Sequence, residues 1–299
     1  MHSYLAKPSA TKDVLACFGL QTKHRLGQNF LVNDDVIGHI LDLAELDGHD
    51  AALEVGPGIG TLTVAMLPLA GAVCALEADR SLPKVLAETC GDWSERFALI
   101  EGDALKISPA EISEAIAALG REGVPSEPTK LVSNLPYQVA ATIILRTLET
   151  MPSITRLVVM VQKEVADRMQ VGPGTKDYGA LSLAVQFYAR PQIVLTVPAS
   201  CFMPRPNVDS AVIRLERFKE PPVDVTDQHL MFNIIRASFN QRRKTMTNSV
   251  VNAGLGITKE KLLTALEACG LPATVRGEAL TLEQFAMLSN HISAYQYPK

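Results

Sequence analysis

Short apolar runs alternate with helical patterns over most of this chain, and this alternation limits the folds that it can adopt. Strands that are apolar on both faces and separated by helices are typical of a parallel sheet with helices on both sides. We therefore predict a doubly wound α/β sheet over the first 218 residues. The predicted parallel strands are "AALEV" (51–55), "AVCALE" (72–77), "FALIEGD" (97–103), "KLVSN" (130–134) and "RLVVMVQ" (156–162).

Two later strands depart from this alternation. "QIVLTVP" (192–198) and "SAVIRLERF" (210–218) have no long helical pattern between them. A hairpin at this point would add an antiparallel strand to the sheet. Helices are predicted at "TLTVAMLPLA" and "ATIILRTLE", and a helix with a loop is predicted over 111–129.

The sequence changes character after residue 218. Consecutive prolines in "KEPPVDV" (219–225) disfavour both helix and sheet, so we predict a linker there. Helical patterns follow, and Thr281 is a plausible N-cap for the last of them. We predict two domains, 1–218 and 219–299, the second small and all-helical. The predicted C-terminal helices lie near 226–239, 258–268 and 281–292.

A glycine-rich turn follows the first predicted strand in "LEVGPGIGTLT" (53–63). Gly56, Gly58 and Gly60 allow the backbone to turn tightly and to approach a ligand closely. Their spacing is G-x-G-x-G and not the dinucleotide fingerprint G-x-G-x-x-G, because Thr61 stands where that fingerprint has its third glycine. A nucleoside without phosphates needs only this close approach and an acid for its sugar.

Acidic side chains are predicted at the ends of the next two strands. Glu77 ends the second strand, where a carboxylate can accept hydrogen bonds from both ribose hydroxyls. Asp103 ends the third, where an adenine amino group would lie. Glu54, within the first strand, could help to hold a cationic ligand. The strand ends therefore predict a nucleoside site.

These motifs, with others along the chain, resemble S-adenosylmethionine-dependent methyltransferases, and more narrowly the ribosomal RNA adenine dimethyltransferase family. The resemblance covers nearly the whole chain and implies a Rossmann-like class I methyltransferase sheet with a small C-terminal helical domain. It also implies S-adenosylmethionine as cofactor and small-subunit rRNA or a pre-ribosomal particle as partner. The motifs are "HRLGQNFL", "EVGPGIGTLT", "LEADR", "GDAL", "SNLPY", "VQKEVADRM", "GTKDYGALS", "FMPRPNVDSAV" and "FNQRRKTM".

The stretch "KLVSNLPYQV" (130–139) explains how such a family could act on adenine. The lone pair of N6 is delocalised into the ring, so the amino group needs acceptors that orient its N–H bonds. Asn134 offers a side-chain carbonyl, and Leu135 offers a backbone carbonyl in a turn stiffened by Pro136. Tyr137 offers a ring face for stacking with the extruded base.

The resemblance assigns further residues that chemistry alone does not. The segment "LGQNFLVND" would close over the methionine end of the cofactor, with Gln28, Asn29 and Leu31 near it, and Asn134 would also border the cofactor. Phe202 would cover the other face of the target base. From the residues alone, the same segment is a loop that leads into a helix capped by Asn33.

The formal net charge of −4 argues against a uniformly basic RNA-binding surface. Basic residues are nevertheless concentrated locally, and we predict that two groups contact rRNA phosphates, the alternative being a solvated helix face. These groups are Lys23 with Arg25, and Arg242 with Arg243 and Lys244.

Five scattered cysteines without a C-x-x-C pair, and histidines without ligand spacing, predict reduced thiols and no metal site. No apolar run is long enough to span a membrane, and the first residues do not resemble a secretory signal, so we expect a cytoplasmic protein.

Three alternatives remain open at this stage. Large-subunit rRNA could be the substrate, although resistance-type enzymes for that RNA more often carry "NIPY" than "NLPY". The chain could be a non-catalytic nucleic-acid-binding relative, which the intact Asn134, Pro136 and Tyr137 disfavour. A nicotinamide oxidoreductase is disfavoured by the glycine spacing.

Overall fold

The structure is a computed structural model that describes residues 2–20, 28–241 and 244–296. The chain folds into two compact units. The first contains the residues up to Ala166 together with Arg190–Arg217. The second contains Asp167–Ala189 and the residues from Phe218 onward. Residues 167–189 thus cluster with the C-terminal helices, and the assignment of activities to domains 1–218 and 219–299 stays a prediction.

The first unit is built around a mixed sheet. Its strands in chain order are β1 (Phe30–Leu31), β2 (Ala51–Val55), β3 (Ala72–Glu77), β4 (Phe97–Glu101), β5 (Lys130–Asn134), β6 (Arg156–Gln162), β7 (Ala189–Val197), β8 (Phe202–Met203) and β9 (Ser210–Arg217). Within the described residues, seven of them form one sheet in the order β4–β3–β2–β5–β6–β9–β7. The remaining two, β1 and β8, pair with each other in antiparallel orientation.

The neighbouring strands β4, β3, β2, β5 and β6 are parallel to one another, and β9 runs antiparallel to β6. Both β2 and β3 are buried along their whole length, as expected for central strands covered on both faces. Because parallel strands end at the same edge, Val55, Glu77 and Asn134 are brought to one edge of the sheet. This is the edge at which open α/β sheets bind ligands.

The helices lie between these strands and after them. In chain order they are α1 (Pro8–Cys17), α2 (Asp34–Ala44), α3 (Thr63–Met66), α4 (Pro83–Thr89), α5 (Pro109–Ala117), α6 (Ala140–Thr150), α7 (Lys163–Gln170), α8 (Ala180–Tyr188), α9 (Gln228–Asn240), α10 (Met246–Val251), α11 (Lys259–Ala268) and α12 (Leu282–Gln296). Side-chain caps fix several of their starts. Asn33 caps α2 as predicted, and Ser108 with Glu111 forms a capping box on α5.

The second unit has its own apolar core. Met231 and Ile235 of α9, Leu262 of α11 and Phe285 of α12 are almost completely buried. Tyr178 lies in the same core, where its hydroxyl donates to the carbonyl of Leu280 at 2.8 Å. This bond ties the segment before α8 to the C-terminal helices, which explains why it clusters with them.

The predicted α/β sheet and the helical C-terminal unit are confirmed, as is an antiparallel strand at β9. One helix prediction was wrong in detail, and one short helix was not foreseen. The helix predicted over 61–70 is reduced to α3, because Pro68 cannot continue the hydrogen-bond ladder. The short helix α10, over Met246–Val251, was not predicted, because its six residues are too few to show a period.

None of the helices in residues 2–20, 28–241 and 244–296 is long and apolar enough to cross a bilayer. In the same residues, no cluster of three or more His, Cys, Asp or Glu side chains could hold a metal ion. All five cysteines are unpaired, and burial raises the pKa of the Cys74 and Cys90 thiols to about 12. These two thiols are therefore protonated and packed like small apolar side chains.

Candidate functional site

A cavity of about 280 Å³ opens at the carboxyl edge of the sheet in the first unit. Its wall is mostly apolar, with a few polar groups that converge from different strands, as is typical of small-molecule sites. Predicted site residues on its wall are Gln28, Asn29, Leu31, Glu54, Gly56, Gly58, Glu77, Asp103, Asn134, Leu135, Pro136 and Tyr137. The topology thus brings together most of the residues that the sequence analysis selected.

The glycine turn after β2 forms the floor of this cavity. Gly56 and Gly58 have positive φ angles of 74° and 61°, which other residues rarely adopt. A Cβ atom on Gly56 would lie 3.2 Å from the ring of Pro136, and one on Gly58 would lie 3.1 Å from the ring of Phe30. The glycines therefore allow both the turn and the close packing of two neighbouring segments. Gly60, just beyond, packs against α4 instead of lining the cavity.

Glu77 joins this turn to the tip of β3. One carboxylate oxygen accepts from the Gly58 N–H at 3.3 Å and the other accepts from the Asp79 N–H at 2.8 Å. Glu77 is only 7% exposed, and burial raises its pKa. Each oxygen retains a second lone pair, so a carboxylate held in this way can still accept from two ligand hydroxyls.

Glu54 is the most deeply buried acid of the site. It accepts a hydrogen bond from the Thr63 hydroxyl at 2.6 Å. Burial, together with the nearby charge of Glu77, raises the pKa of Glu54 to about 8. At neutral pH, Glu54 is therefore mostly protonated, whereas an adjacent cation would favour its carboxylate form.

Asp103 lies on the opposite wall, in the turn after β4. Its carboxylate is exposed and accepts from the Leu105 N–H at 3.0 Å. Gly102, just before it, donates its N–H to the Glu77 carbonyl at 2.8 Å, so the two strand ends are fixed relative to each other. Asp103 thus presents a carboxylate oxygen to the cavity from a turn with a defined shape.

Asn134 ends β5 beside the glycine turn. Its side-chain N–H donates to the Asn29 carbonyl at 3.3 Å. Its side-chain oxygen is buried and has no hydrogen-bond partner among the described residues. Because buried polar atoms in native proteins normally have partners, an acceptor in this state indicates a donor that is supplied from outside.

Tyr137 lies three residues further on and is fixed at its far end. Its hydroxyl forms a hydrogen bond of 2.5 Å with the hydroxyl of Ser210, which is buried on β9. Burial also raises the pKa of Tyr137, so the phenol remains neutral. The ring is therefore held in one orientation on the cavity wall, as stacking requires.

The segment around β1 closes one side of the cavity. The Gln28 amide donates to the Asp79 carboxylate at 2.7 Å, and Leu31 pairs with Phe202 across the β1–β8 ladder. Phe202 is 4% exposed, packs in the apolar core and does not line the cavity. Its predicted contact with a target base stays a prediction.

Of the predicted RNA-contacting residues, only Lys244 can be placed. Lys23, Arg25, Arg242 and Arg243 lie outside the described residues. Lys244 is exposed in the second unit, just before α10, and its backbone N–H donates to the Gln241 carbonyl at 2.9 Å.

Asp79 is a polar wall residue that the sequence analysis missed, as are Thr61 and Gln138. It is 5% exposed and accepts from Gln28 and from the Ser81 backbone and hydroxyl. The motif "LEADR" contains a second acid two residues after Glu77. The argument from strand ends selects only Glu77, because that residue is the last of its strand. Apolar wall residues such as Leu105 and Ile143 carried no such signal.

Comparisons with known proteins agree with this geometry. The family model for ribosomal RNA adenine dimethylase matches residues 19–292. The chain belongs to this family. A protein of Lachnoclostridium phytofermentans named ribosomal RNA small subunit methyltransferase A is 46% identical over 291 residues, which cover 97% of this chain and 98% of that protein. A Geobacillus thermodenitrificans protein of the same name is 43% identical and covers 97% of each.

Two solved structures share the fold. A dimethyladenosine transferase from Plasmodium falciparum superposes with a TM-score of 0.70 at 24% identity, covering 86% of this chain and 94% of that one. The 23S rRNA methyltransferase ErmE superposes with a TM-score of 0.64 at 24% identity, covering 89% and 100%. The predicted class I methyltransferase fold is therefore confirmed. Membership of the family makes the chain a methyltransferase, which requires a methyl donor.

Proposed function

We propose that this protein transfers two methyl groups to N6 of each of two adjacent adenosines near the 3′ end of small-subunit rRNA, with S-adenosylmethionine as donor, during ribosome assembly. The observation that carries the reaction is the buried, unpartnered side-chain oxygen of Asn134 beside the glycine turn. The names of the full-length relatives support the choice of the small subunit. The proposal includes a cytoplasmic location.

The cavity residues fit S-adenosylmethionine as the donor. We assign Glu77 to the ribose hydroxyls and Asp103 to the adenine amino group, while Gly56 and Gly58 allow the close approach and Gly60 packs the turn against α4. Gln28, Asn29 and Leu31 would border the methionine end, and Glu54 would meet its positive charge as a carboxylate. When bound, this cofactor supplies an electrophilic methyl group on a sulfonium. Alignment of the target amine is then the main task of the protein.

The residues after β5 would perform this alignment. In the first transfer, the Asn134 oxygen and the Leu135 carbonyl would accept hydrogen bonds from the two N6–H groups, and in the second transfer one of them would hold the N–H that remains. Both arrangements orient the nitrogen lone pair toward the methyl group. Once the new N–C bond forms, the positively charged nitrogen is acidic and loses its proton to water, so no strong base is required. Pro136 would stiffen the turn, and its ring lies so near Gly56 that a Cβ there would be 3.2 Å away. Tyr137 would stack on the base, a contact worth about 1–3 kcal/mol.

Attraction of the RNA would come from local basic groups, because the net charge of −4 repels phosphate. We assign this role to Arg242, Arg243 and Lys244, and to Lys23 and Arg25. The partner is then small-subunit rRNA or a pre-ribosomal particle.

The experiment is in vitro methylation of under-modified small subunits with labelled donor, followed by mapping of the modified nucleotides. Label on two adjacent adenosines near the 3′ end is expected. Large subunits are included in the same assay, because label there alone would support the alternative substrate. Cofactor binding without transfer to either subunit would support a non-catalytic relative.

A further inference from the structure

Helix α6 starts just after the Asn134–Tyr137 turn and carries Arg146, a half-buried residue outside the cavity wall. One terminal nitrogen of its guanidinium donates to the Ala104 carbonyl at 2.8 Å, and the other donates to the Ile107 carbonyl at 2.7 Å. Both carbonyls belong to the turn after β4 that contains Asp103. A side chain of the helix that follows the Asn134–Tyr137 turn therefore holds the backbone of the turn that contains Asp103.

The turn that Arg146 holds is closed by Asp103 itself. The Asp103 side chain accepts from the Leu105 N–H at 3.0 Å, and its carbonyl accepts from the Lys106 N–H at 2.8 Å. These bonds satisfy donors inside the turn, whereas the Ala104 and Ile107 carbonyls point outward to the guanidinium. The planar fork of arginine matches two carbonyls at a fixed separation, which a single ammonium group cannot do in the same way.

We propose that Arg146 is a positioning residue for the adenine end of the cofactor. By fixing the Ala104 and Ile107 carbonyls, it sets the place from which Asp103 accepts the adenine amino hydrogen bond. The same helix begins at the Asn134–Tyr137 turn, so Arg146 also fixes the distance between the cofactor adenine and the target site. This inference rests on the proposed function, since it takes S-adenosylmethionine as the ligand.

Arg217, the last residue of β9, provides a matched control. Its guanidinium donates to the carbonyl of Leu148 in the last turn of α6 at 2.9 Å, and to the carbonyl of Ile154 in the loop after α6 at 2.7 Å. It therefore binds backbone carbonyls in the same chemical manner but does not touch the cavity wall. Loss of Arg217 is expected to lower stability without a specific effect on the cofactor.

The test compares wild type with Arg146→Ala, Arg146→Lys and Arg217→Ala. Their affinities are measured by calorimetry for S-adenosylhomocysteine and for its analogue in which hydrogen replaces the adenine amino group. Thermal unfolding of the free proteins is recorded in parallel. For Arg146→Ala we expect about tenfold weaker binding of S-adenosylhomocysteine, the lower end of the effect of charge-assisted hydrogen bonds because the action is indirect. Arg146→Lys should recover part of this affinity.

The analogue separates positioning from general destabilisation. Wild type should bind it more weakly than S-adenosylhomocysteine, whereas Arg146→Ala should bind the two about equally, because the amino contact is already lost. If Arg146→Ala weakens both ligands by the same factor, or behaves like Arg217→Ala, Arg146 has only a structural role and the inference is wrong. If wild type binds neither ligand, the cavity does not hold this cofactor, and the proposed function itself is wrong.

Discussion

The two halves of the cavity edge differ in whether their polar side chains already have hydrogen-bond partners. On the β3–β4 side, Glu77 accepts from two backbone N–H groups and Asp103 accepts from one, so both carboxylates are already held in place. On the β5 side, the Asn134 oxygen is buried without a partner in the described part of the chain. A buried unsatisfied acceptor costs about 1–3 kcal/mol. Under the proposed function, that cost is offset when a substrate N–H arrives. We therefore call the β3–β4 side, which is assigned to the cofactor, the preorganised half, and the β5 side, which is assigned to the reacting group, the reserved half.

The largest expected effect comes from the reserved half. Asn134→Ala should lower the methyl-transfer rate at saturating cofactor by about 100-fold or more, as for other preorganised active-site hydrogen-bonding groups. Cofactor affinity should change little. Single-turnover assays with labelled donor measure the rate, and calorimetry measures the affinity. Asn134→Asp keeps an acceptor oxygen and should therefore retain more activity than Asn134→Ala. If Asn134→Ala keeps more than a tenth of the wild-type rate, Asn134 does not align the target amine.

The preorganised half should respond in the opposite way. Glu77→Ala should weaken cofactor binding by about 1.5–3 kcal/mol, the range for hydrogen bonds to a charged group. Transfer should recover partly at high donor concentration. Glu101→Ala is the matched control, because Glu101 is the register partner of Glu77 on β4 but is exposed and outside the cavity wall. Equal affinities of both variants and wild type in calorimetry would remove Glu77 from the ribose site.

A change in the second unit should leave both halves intact. Replacing Arg242, Arg243 and Lys244 with Ala should weaken binding to the rRNA particle and flatten its salt dependence, by roughly one unit of slope per lost phosphate contact. Affinity for the cofactor should stay the same. The control replaces Lys219, Lys259 and Lys261, which changes the net charge equally in the same unit. Parallel salt series of equal affinity for the two triple variants would show that the cluster is only a solvated face.

The smallest expected effect concerns the pH dependence of stability. Because the pKa of Glu54 is raised to about 8 in the folded protein, the native state binds an extra proton and loses stability as the pH rises from about 4.5 to 8. Glu54→Gln mimics the protonated form and lacks this loss. The cofactor-free proteins are compared by thermal unfolding at pH 6 and pH 9. The stability of the variant relative to wild type should be higher at pH 9 than at pH 6.

Asp50→Asn is the control for that measurement. The hydrogen bonds and charge of Lys130, with other donors, outweigh burial and lower the pKa of Asp50. Asp50 is therefore ionised at both pH values in both states, and its replacement should cost the same stability at pH 6 and pH 9. A Glu54 difference that does not change with pH would mean that this carboxyl is already ionised in the cavity.

Strands were the most predictable part of the structure. The bounds of β2, β3, β5 and β6 agree with the sequence prediction, because each is a short apolar run bounded by turn residues. Strand ends then placed Glu77, Asp103 and Asn134 at one edge through the geometry of parallel sheets alone. These residues required no knowledge of long-range contacts.

The remaining features depend on contacts that no local pattern encodes. The β1–β8 ladder pairs two residues with two others far along the chain. Strands of two residues are too short to show a period in the sequence. Arg146 is one of many helical arginines, and only the fold shows that it reaches the Ala104 and Ile107 carbonyls. For the same reason, Tyr178 gave no hint that residues 167–189 belong with the C-terminal helices.

The bond between Tyr137 and Ser210 has a consequence for the order in which the enzyme matures. Its two residues are 73 positions apart in the sequence. Strand β1 likewise cannot pair until β8 has been synthesised. During synthesis, which proceeds at about 5–20 residues per second, the glycine turn emerges well before these partners do. The sheet can therefore begin to assemble while the chain is still growing, but the cavity wall at Tyr137 is completed only after β9 has left the ribosome.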